Sequence, residues 1–230
     1  VVDKPAGLVS HPTYRHSSGT LVNALLGYAR AWPEGQRPSL VGRLDKLTSG
    51  AILVAKTAAM HARLQRALLS PDSDKTYLAL AYGHVPEGPH DIALRLGRDP
   101  GDRRRVVASE TWGQPSLTRV ARVDTVEMGG EHVSLVRCRL VTGRTHQIRV
   151  HLAARDWPLV GDAAYGTPRW QRVADEATAE ALRRFPRQAL HAWRLAFTHP
   201  LTGARVDVTA PVPDDLAGLL DQVGMRRPDR

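Results

Sequence analysis

The chain has 230 residues, of which 42% are hydrophobic and 24% charged, so its composition is that of a globular protein able to bury a core. Lysine and arginine total 32 against 23 acidic residues, and the net charge of +9 favours polyanionic partners, with nucleic acid first among them. The single cysteine, Cys138, excludes an internal disulfide and a cysteine-based zinc site. The low cysteine content makes the reducing cytoplasm the expected location. No apolar run approaches the roughly 20 residues of a membrane helix, so we expect no membrane partner.

The spacing of apolar residues predicts the helices and strands in chain order. Helices are predicted for residues 19–31, for 57–68 with Thr57 as N-cap, for 145–154, for 175–185, and from Asp214 or Asp215 onward. Strands are predicted for residues 51–55 and 76–85, and for two hairpins, 117–128 with 131–141 around Gly129 and Gly130, and 190–197 with 205–209.

The order of these elements predicts the fold class. Long hairpins beside helices that do not alternate with parallel strands indicate an α+β fold. The stretch 87–105 is rich in Arg, Gly and Pro and is the best candidate for a linker. We interpret it as an insertion within one domain.

Motifs for common cofactors and metals are missing from the sequence. It contains neither a G-x-x-x-x-G-K-[ST] phosphate loop nor a G-x-G-x-x-G motif. His146 and His151 are five residues apart, about 140° around a helix, which is a poor spacing for joint metal coordination. A G-x-S-x-G nucleophile elbow, the motif of a serine hydrolase, is also missing. Because the cofactor motifs are missing and the histidine spacing is poor, we expect neither a cofactor nor a metal.

The segment 42–50, GRLDKLTSG, surrounds Asp45 with two cations, two hydroxyl side chains and two glycines. Cations and hydroxyl donors favour the ionised carboxylate, and glycines allow a ligand to approach the backbone closely. Because an apolar strand follows directly, Asp45 is a candidate nucleophile or base at a strand edge. The alternative is a surface loop whose aspartate caps a turn.

A second segment, TGRTHQIRVH at residues 142–151, is strongly basic. Two arginines and two histidines crowd the start of a predicted helix, where the helix dipole and the N-terminal amides add affinity for anions. The alternative is a solvated helix face that carries basic residues.

A third segment, KTYLAL at residues 75–80, begins a predicted strand. The ring of Tyr77 is able to stack on a base, and its phenol is able to move a proton. The alternative is an ordinary tyrosine of the core or its rim.

Together these segments resemble the RluA-type pseudouridine synthases. RLDKLTSG, KTYLAL, and TGRTHQIRVH running on to PLVGDAAYG stand in that family's order. DKPAGLVSHP at residues 3–12 is similar to its opening motif, and ALHA at residues 189–192, followed by a Pro-Leu-Thr-Gly turn, is similar to its end. The resemblance spans roughly residues 2–215.

The resemblance implies an enzyme that isomerises uridine in structured RNA, ribosomal or transfer RNA, to pseudouridine without a cofactor or metal. It also implies a mixed, largely antiparallel β-sheet with flanking helices and a central RNA-binding cleft, in a monomer. Asp45 matches the family's essential aspartate, Tyr77 the tyrosine that contacts the target base, and Arg149 the arginine that pairs with the aspartate.

The same resemblance suggests which residues bind the substrate. Arg43 would lie beside the flipped nucleotide. We expect the polar and basic side chains of the motifs to contact RNA: Arg43, Lys75, Arg144, His146 and Gln147. The basic run 103–105 would hold phosphates. Gly42 departs from the family pattern, which usually has a histidine there.

We expect residues 1–230 to form a single catalytic domain without a separate N-terminal RNA-binding domain. Two other function classes stay open. One is a catalytically silent RNA-binding module of the same fold. The other is an enzyme acting on free nucleosides, for which weak salt dependence is expected.

Overall fold

A computed structural model describes residues 1–14, 16–102 and 105–228 of the chain. The chain divides into two compact units: the first comprises Val1–Lys75 and Ala192–Pro211, and the second comprises Thr76–His191 and Val212–Arg230. The assignment of residues 1–230 to a single catalytic domain stays a prediction.

Ten strands and five α-helices form within the described residues. The strands are β1 Val2–Lys4, β2 Ser39–Val41, β3 Ser49–Ala55, β4 Asp74–Tyr82, β5 Pro89–Arg98, β6 Val106–Ser109, β7 Gln114–Glu127, β8 His132–Leu140, β9 Leu190–Thr198 and β10 Arg205–Thr209. The helices are α1 Leu21–Tyr28, α2 Ala58–Ala67, α3 Gln147–Ala154, α4 Glu176–Arg184 and α5 Asp214–Gln222. Every strand pair with a described register is antiparallel, which confirms an α+β fold with a largely antiparallel sheet.

Strand β3 organises the sheet of the first unit. It pairs with β1 through residues 50–52 and with β2 through residues 53–55, and it also neighbours β9, on which β10 is paired. Since β1 and β2 pair with successive parts of β3, the loop from β2 to β3, residues 42–48, runs beside the end of β1.

The core of the first unit confirms the predicted apolar strand and the helix after it. Leu53 and Ala55 of β3 pack with Leu64 of α2 and with apolar side chains of β9. The backbone N–H of Met60 donates to the Thr57 hydroxyl at 3.1 Å, so Thr57 is the N-cap of α2, as its sequence position predicts.

The second unit contains the strand order β4-β8-β7-β5-β6. Strands β7 and β8 form the hairpin that Gly129 and Gly130 predict, and both glycines have positive φ values, 67° and 130°. A register shift between Arg122 and Asp124 marks a bulge in β7. Such a bulge increases the local twist of the hairpin.

The stretch 87–105, interpreted from sequence as an insertion within one domain, contains the ten-residue strand β5, which lies in the sheet between β7 and β6 and was not predicted. Ile92, Leu94 and Leu96 point to one face and alternate with exposed residues. That alternation is a strand pattern, which the surrounding Pro, Gly and Arg residues obscured.

The helices of the second unit begin close to their predicted positions. The Asp175 carboxylate accepts from the backbone N–H of Thr178 at 2.7 Å and caps α4, and α5 begins at Asp214. Leu182 of α4 and Leu216 and Leu220 of α5 belong to the largest apolar cluster of this unit. Helix α3 begins at Gln147, two residues later than the predicted start at Thr145.

Helix α3 buries a histidine whose ionisation opposes folding. His151 has no exposed surface, and its Nε2 lies 3.2 Å from the Ser116 hydroxyl. Burial, together with repulsion from the positive charge of Arg155, lowers the pKa of His151 to about 4. The folded protein therefore resists protonation at a pH where the unfolded chain accepts a proton.

We predict that the free energy of unfolding falls as the pH is lowered through the window between the usual histidine pKa and that of His151. From about pH 7 to about pH 5 this one group lowers it by about 2 kcal/mol. Urea unfolding at both pH values measures the change, and His151→Gln is expected to flatten it. Equal pH dependence in both proteins would contradict the prediction.

Candidate functional site

Asp45 lies in the loop 42–48, between β2 and β3, and is half-buried. The backbone N–H of Thr48 donates to the Asp45 carbonyl at 3.1 Å and closes a turn. Gly42 begins the loop with a φ of 95°, and the space where a Cβ would stand is open. Backbone conformation, rather than crowding, is therefore what favours glycine here.

A buried lysine anchors this loop to the opening segment. The Lys4 side chain has no exposed surface. Its ammonium donates to the carbonyl oxygens of Pro5 at 2.8 Å, Leu8 at 2.9 Å and Lys46 at 3.2 Å. The last of these belongs to the residue after Asp45, so a buried charge ties the candidate catalytic loop to residues 4–8.

Two more hydrogen bonds from the opening segment hold the loop on both sides of Asp45. The Ser10 hydroxyl donates to the Leu44 carbonyl at 2.7 Å, and the backbone N–H of Gly7 donates to the Lys46 carbonyl at 2.8 Å. Both residues that flank Asp45 thus have their carbonyl groups engaged, which restricts the backbone of the loop.

The start of β3, directly after the loop, is closely packed. Gly50 has a φ of 113°, and a Cβ built there would lie 2.3 Å from the carbonyl oxygen of Ala192. Only glycine therefore fits this approach of β3 to β9.

In the second unit, Arg149 of α3 forms a buried ion pair with Asp162. Its Nε donates to Oδ2 at 2.7 Å and one terminal nitrogen donates to Oδ1 at 2.8 Å, while the side chains are 9% and 1% exposed. Oδ1 also accepts the backbone N–H groups of Ala164 and Tyr165. The two-fold pairing fixes the plane of the guanidinium group.

Tyr165 connects Arg149 to His146. The Arg149 guanidinium carbon lies 4.9 Å from the centroid of the Tyr165 ring, and the phenol oxygen lies 2.7 Å from His146 Nδ1. Burial raises the pKa of Tyr165, so the phenol keeps its proton. Because its oxygen also accepts the backbone N–H of Val106, we infer that the hydroxyl donates to Nδ1.

Gln147 holds the turn before α3. Its side-chain oxygen accepts from the Thr142 hydroxyl at 2.8 Å and from the backbone N–H of Arg144 at 3.0 Å. Its amide nitrogen donates to the Leu117 carbonyl and the Thr118 hydroxyl. The side chain is buried and contacts protein atoms at both ends, whereas Arg144 beside it is exposed.

Tyr77 is a partly buried residue of β4, opposite Cys138 of β8. Its ring packs against an apolar cluster that includes Ile148 and Leu152 of α3. Burial strongly raises the pKa of Cys138, which makes its thiol a neutral neighbour. Lys75 lies two residues earlier on the same strand and is partly buried.

The predicted site residues are thus distributed over both units. Arg43 and Asp45 share the loop 42–48, and Arg43 is exposed. Four others lie in one segment of the second unit: Arg144, His146, Gln147 and Arg149. The pairing of Arg149 with Asp45 stays a prediction. Within the basic run 103–105, residues 103 and 104 lie outside the described residues.

Sequence analysis did not assign roles to Lys4, Asp162 and Tyr165. All three lie in the segments DKPAGLVSHP and PLVGDAAYG that carry the resemblance. For Lys4 and Asp162 the available signal was a charged residue inside a motif that also contains apolar residues, because a charged side chain is buried only where it finds partners.

Comparison with known proteins identifies the family. A family model described as RNA pseudouridylate synthase matches residues 1–154, which include Lys4, Asp45, Tyr77 and Arg149. The chain belongs to this family. The expected RluA-type resemblance is therefore confirmed.

One curated relative and two solved structures show how far the similarity extends. Ribosomal large subunit pseudouridine synthase D of Neisseria meningitidis is 42% identical over 222 residues, which cover 96% of this chain and 57% of that protein. The chain therefore spans little more than half the length of this relative. Human RNA pseudouridylate synthase domain containing 1 is 30% identical with a TM-score of 0.66, covering 93% of this chain and 82% of that one. The fold is shared by human RNA pseudouridylate synthase domain containing 4, which has a TM-score of 0.74 at 23% identity and covers 99% and 90% of the two chains.

The described residues contain neither a metal-binding cluster nor a membrane-spanning helix. Among these residues, no group of three or more His, Cys, Asp or Glu side chains is arranged to hold a metal ion. No helix in them has both the length and the hydropathy required to cross a membrane.

We predict that Lys4→Met lowers the free energy of unfolding by about 3 kcal/mol or more, because it removes three hydrogen bonds made by the ammonium and leaves the carbonyl oxygens of Pro5 and Leu8 without this donor. Urea unfolding followed by circular dichroism measures the loss. Lys46→Met is the matched control, since that side chain is exposed in the same loop, and a change within about 0.5 kcal/mol is expected. A Lys4→Met protein as stable as the wild type would contradict the anchoring role.

Proposed function

We propose that this protein isomerises uridine to pseudouridine in the RNA of the large ribosomal subunit, with Asp45 as its catalytic carboxylate. One observation carries the proposal: a half-buried aspartate, in a loop fixed by the buried Lys4 ammonium, lies within the region that matches the RNA pseudouridylate synthase family. The choice of ribosomal RNA rests on the name of the Neisseria meningitidis relative.

The proposed reaction conserves every atom of the uridine. The bond between ribose and a ring nitrogen of uracil breaks, the base turns, and a bond forms between ribose and a ring carbon. That carbon gives up its proton and the freed nitrogen gains one. No oxidant, reductant or hydrolytic water enters the balance, so an ionised carboxylate acting as nucleophile or base is sufficient in kind.

Tyr77 and Arg149 complete the proposed catalytic set. A target uridine in folded RNA must leave its stack, at a cost of a few kcal/mol. Stacking on the Tyr77 ring offsets about 1–3 kcal/mol of that cost, and its phenol is suited to proton transfer. Asp162 fixes the orientation of the Arg149 guanidinium group through two hydrogen bonds. We propose that this cation acts on the reacting uridine or on the Asp45 carboxylate.

Five further residues are proposed to contact or position the RNA. Arg43 and Arg144 are exposed arginines suited to phosphate, and Lys75 and His146 are partly buried donors. Gln147 contributes by holding the turn that carries Arg144. Transfer RNA is the alternative substrate that the family resemblance leaves open, and we further propose a cytoplasmic location and a monomeric state.

We predict that Asp45→Asn abolishes pseudouridine formation while leaving RNA binding unchanged, because the amide keeps the shape of the side chain and loses its charge and basicity. The measurement is a chemical map of pseudouridines across ribosomal and transfer RNA from cells that lack the protein. Wild type or Asp45→Asn is then added back, and a site restored only by the wild type is expected.

Wild-type turnover by Asp45→Asn would refute the assignment of Asp45. If purified wild type binds ribosomal RNA but forms no pseudouridine, the chain is a silent RNA-binding module. Activity on uridine monophosphate with weak salt dependence would instead support an enzyme of free nucleosides.

A paired substitution separates the catalytic role of Arg149 from its structural one. We predict that Arg149→Met lowers the free energy of unfolding by about 3–5 kcal/mol, because the Asp162 carboxylate is left buried without its cation. Adding Asp162→Asn removes that uncompensated charge and keeps an acceptor for the backbone N–H groups. The double variant is therefore expected to recover stability.

Turnover by the stable double variant is expected to stay at least about 100-fold below wild type if Arg149 contributes a charge-assisted hydrogen bond to the transition state. Recovery of turnover together with stability would show that Arg149 is only structural. Single-turnover rates on large-subunit ribosomal RNA measure the difference.

A further inference from the structure

The first unit has a second cluster of aromatic and basic side chains, away from the loop that carries Asp45. This aromatic–basic patch consists of Tyr28, Arg30, Trp32, Arg37 and Lys56. Tyr28 is 78% exposed, which is unusual for so large an aromatic side chain. None of the five residues belongs to the segments assigned above to catalysis or substrate binding.

The local fold brings these residues together. Helix α1 ends at Tyr28, and the 3-10 helix Ala29–Ala31 turns the chain so that the Tyr28 and Trp32 rings meet edge to face, with centroids 6.2 Å apart. The Lys56 ammonium lies 5.1 Å from the Trp32 centroid. The backbone N–H of Arg37 donates to the Lys56 carbonyl at 2.8 Å, which joins the backbones of these two basic residues.

The charge of the patch favours an anionic partner. Arg30, Arg37 and Lys56 are exposed, and none of them forms an ion pair with another described residue. Glu34 is the acidic residue of the same loop, so the three cations of the patch and this one carboxylate together give a net charge of +2. Unpaired cations beside an open aromatic face suit a polyanion that also presents flat rings.

We propose that the aromatic–basic patch binds a single-stranded segment of the substrate RNA, outside the nucleotide that reacts. The exposed ring of Tyr28 stacks on a base, and Arg30, Arg37 and Lys56 contact phosphates. The proposal rests on the proposed function, because it assumes that RNA is the substrate. It adds a second point of attachment that holds the RNA while the target uridine is isomerised.

The position of the patch on the β2–β3 pair sets its distance from Asp45. The loop with Asp45 enters β3 at Ser49, whereas Lys56 follows the other end of the strand at Ala55. The six residue-to-residue steps from Ser49 to Ala55 span about 20 Å of extended strand. One strand of a stacked helix rises about 3.4 Å per nucleotide, so the contacted segment lies about six nucleotides from the target, or fewer if the RNA is extended.

Equilibrium binding of a fluorescein-labelled oligouridine of about 16 nucleotides tests the patch without requiring turnover. Tyr28→Ala is expected to raise Kd at least about five-fold, and Tyr28→Phe, which keeps the ring, to leave it within about two-fold. Lys56→Gln is expected to reduce the slope of log Kd against log salt by about 0.7. Tyr14→Ala removes another fully exposed tyrosine of this unit and serves as the matched control, with wild-type Kd expected.

A second measurement separates this inference from the proposed function. On large-subunit ribosomal RNA, Tyr28→Ala is expected to raise KM and to leave kcat unchanged. If Tyr28→Ala loses affinity for oligouridine but the wild type forms no pseudouridine, the patch is supported and the proposed function is refuted. Wild-type Kd and KM in Tyr28→Ala would overturn the patch even if the wild type is active. Unchanged RNA binding by Tyr28→Ala, together with loss of a protein that co-purifies with the wild type, would show that the patch binds a protein and would also overturn the proposal.

Discussion

The geometry of the Asp45 loop depends on one buried lysine ammonium. Removing an ammonium group from water costs several kcal/mol, so Lys4 is stable inside the first unit only where carbonyl oxygens accept its protons. The oxygens of Pro5, Leu8 and Lys46 meet this requirement. The opening segment is thereby attached to the residue after Asp45, and the position of the candidate catalytic carboxylate follows from satisfying a charge that takes no part in the proposed chemistry.

The second unit meets a similar constraint with a carboxylate. Asp162 accepts both hydrogen bonds of the Arg149 fork and two backbone N–H groups, while the Tyr165 ring covers the guanidinium. The cation is buried but fully directed, unlike the exposed Arg43 and Arg144. The protein thus contains a few buried cations with fixed positions, such as Lys4 and Arg149, and many solvated cations suited to phosphate.

Local patterns explain which elements were predictable. Thr57 and Asp175 cap the helices that they were expected to cap, and Gly129 with Gly130 forms the turn of the longest hairpin. These signals act within a few residues of chain, so a single sequence contains them. Strand β5 was missed because Pro, Gly and Arg surround its alternating core, and the three-residue β1 is too short to show a period.

The sequence by itself determined the helices and most of the long strands, the fold class and the residues able to carry chemistry, with Asp45 among cations and hydroxyls and a basic segment at 142–151. Only the tertiary structure decided their partners. Lys4 and Lys46 are 42 residues apart, and Arg149 finds its carboxylate 13 residues further on, at Asp162. The reason is that apolar periodicity is a local property of neighbouring residues in the sequence. A buried charge is instead satisfied by whichever oxygen the strand register and the path of the loops bring near.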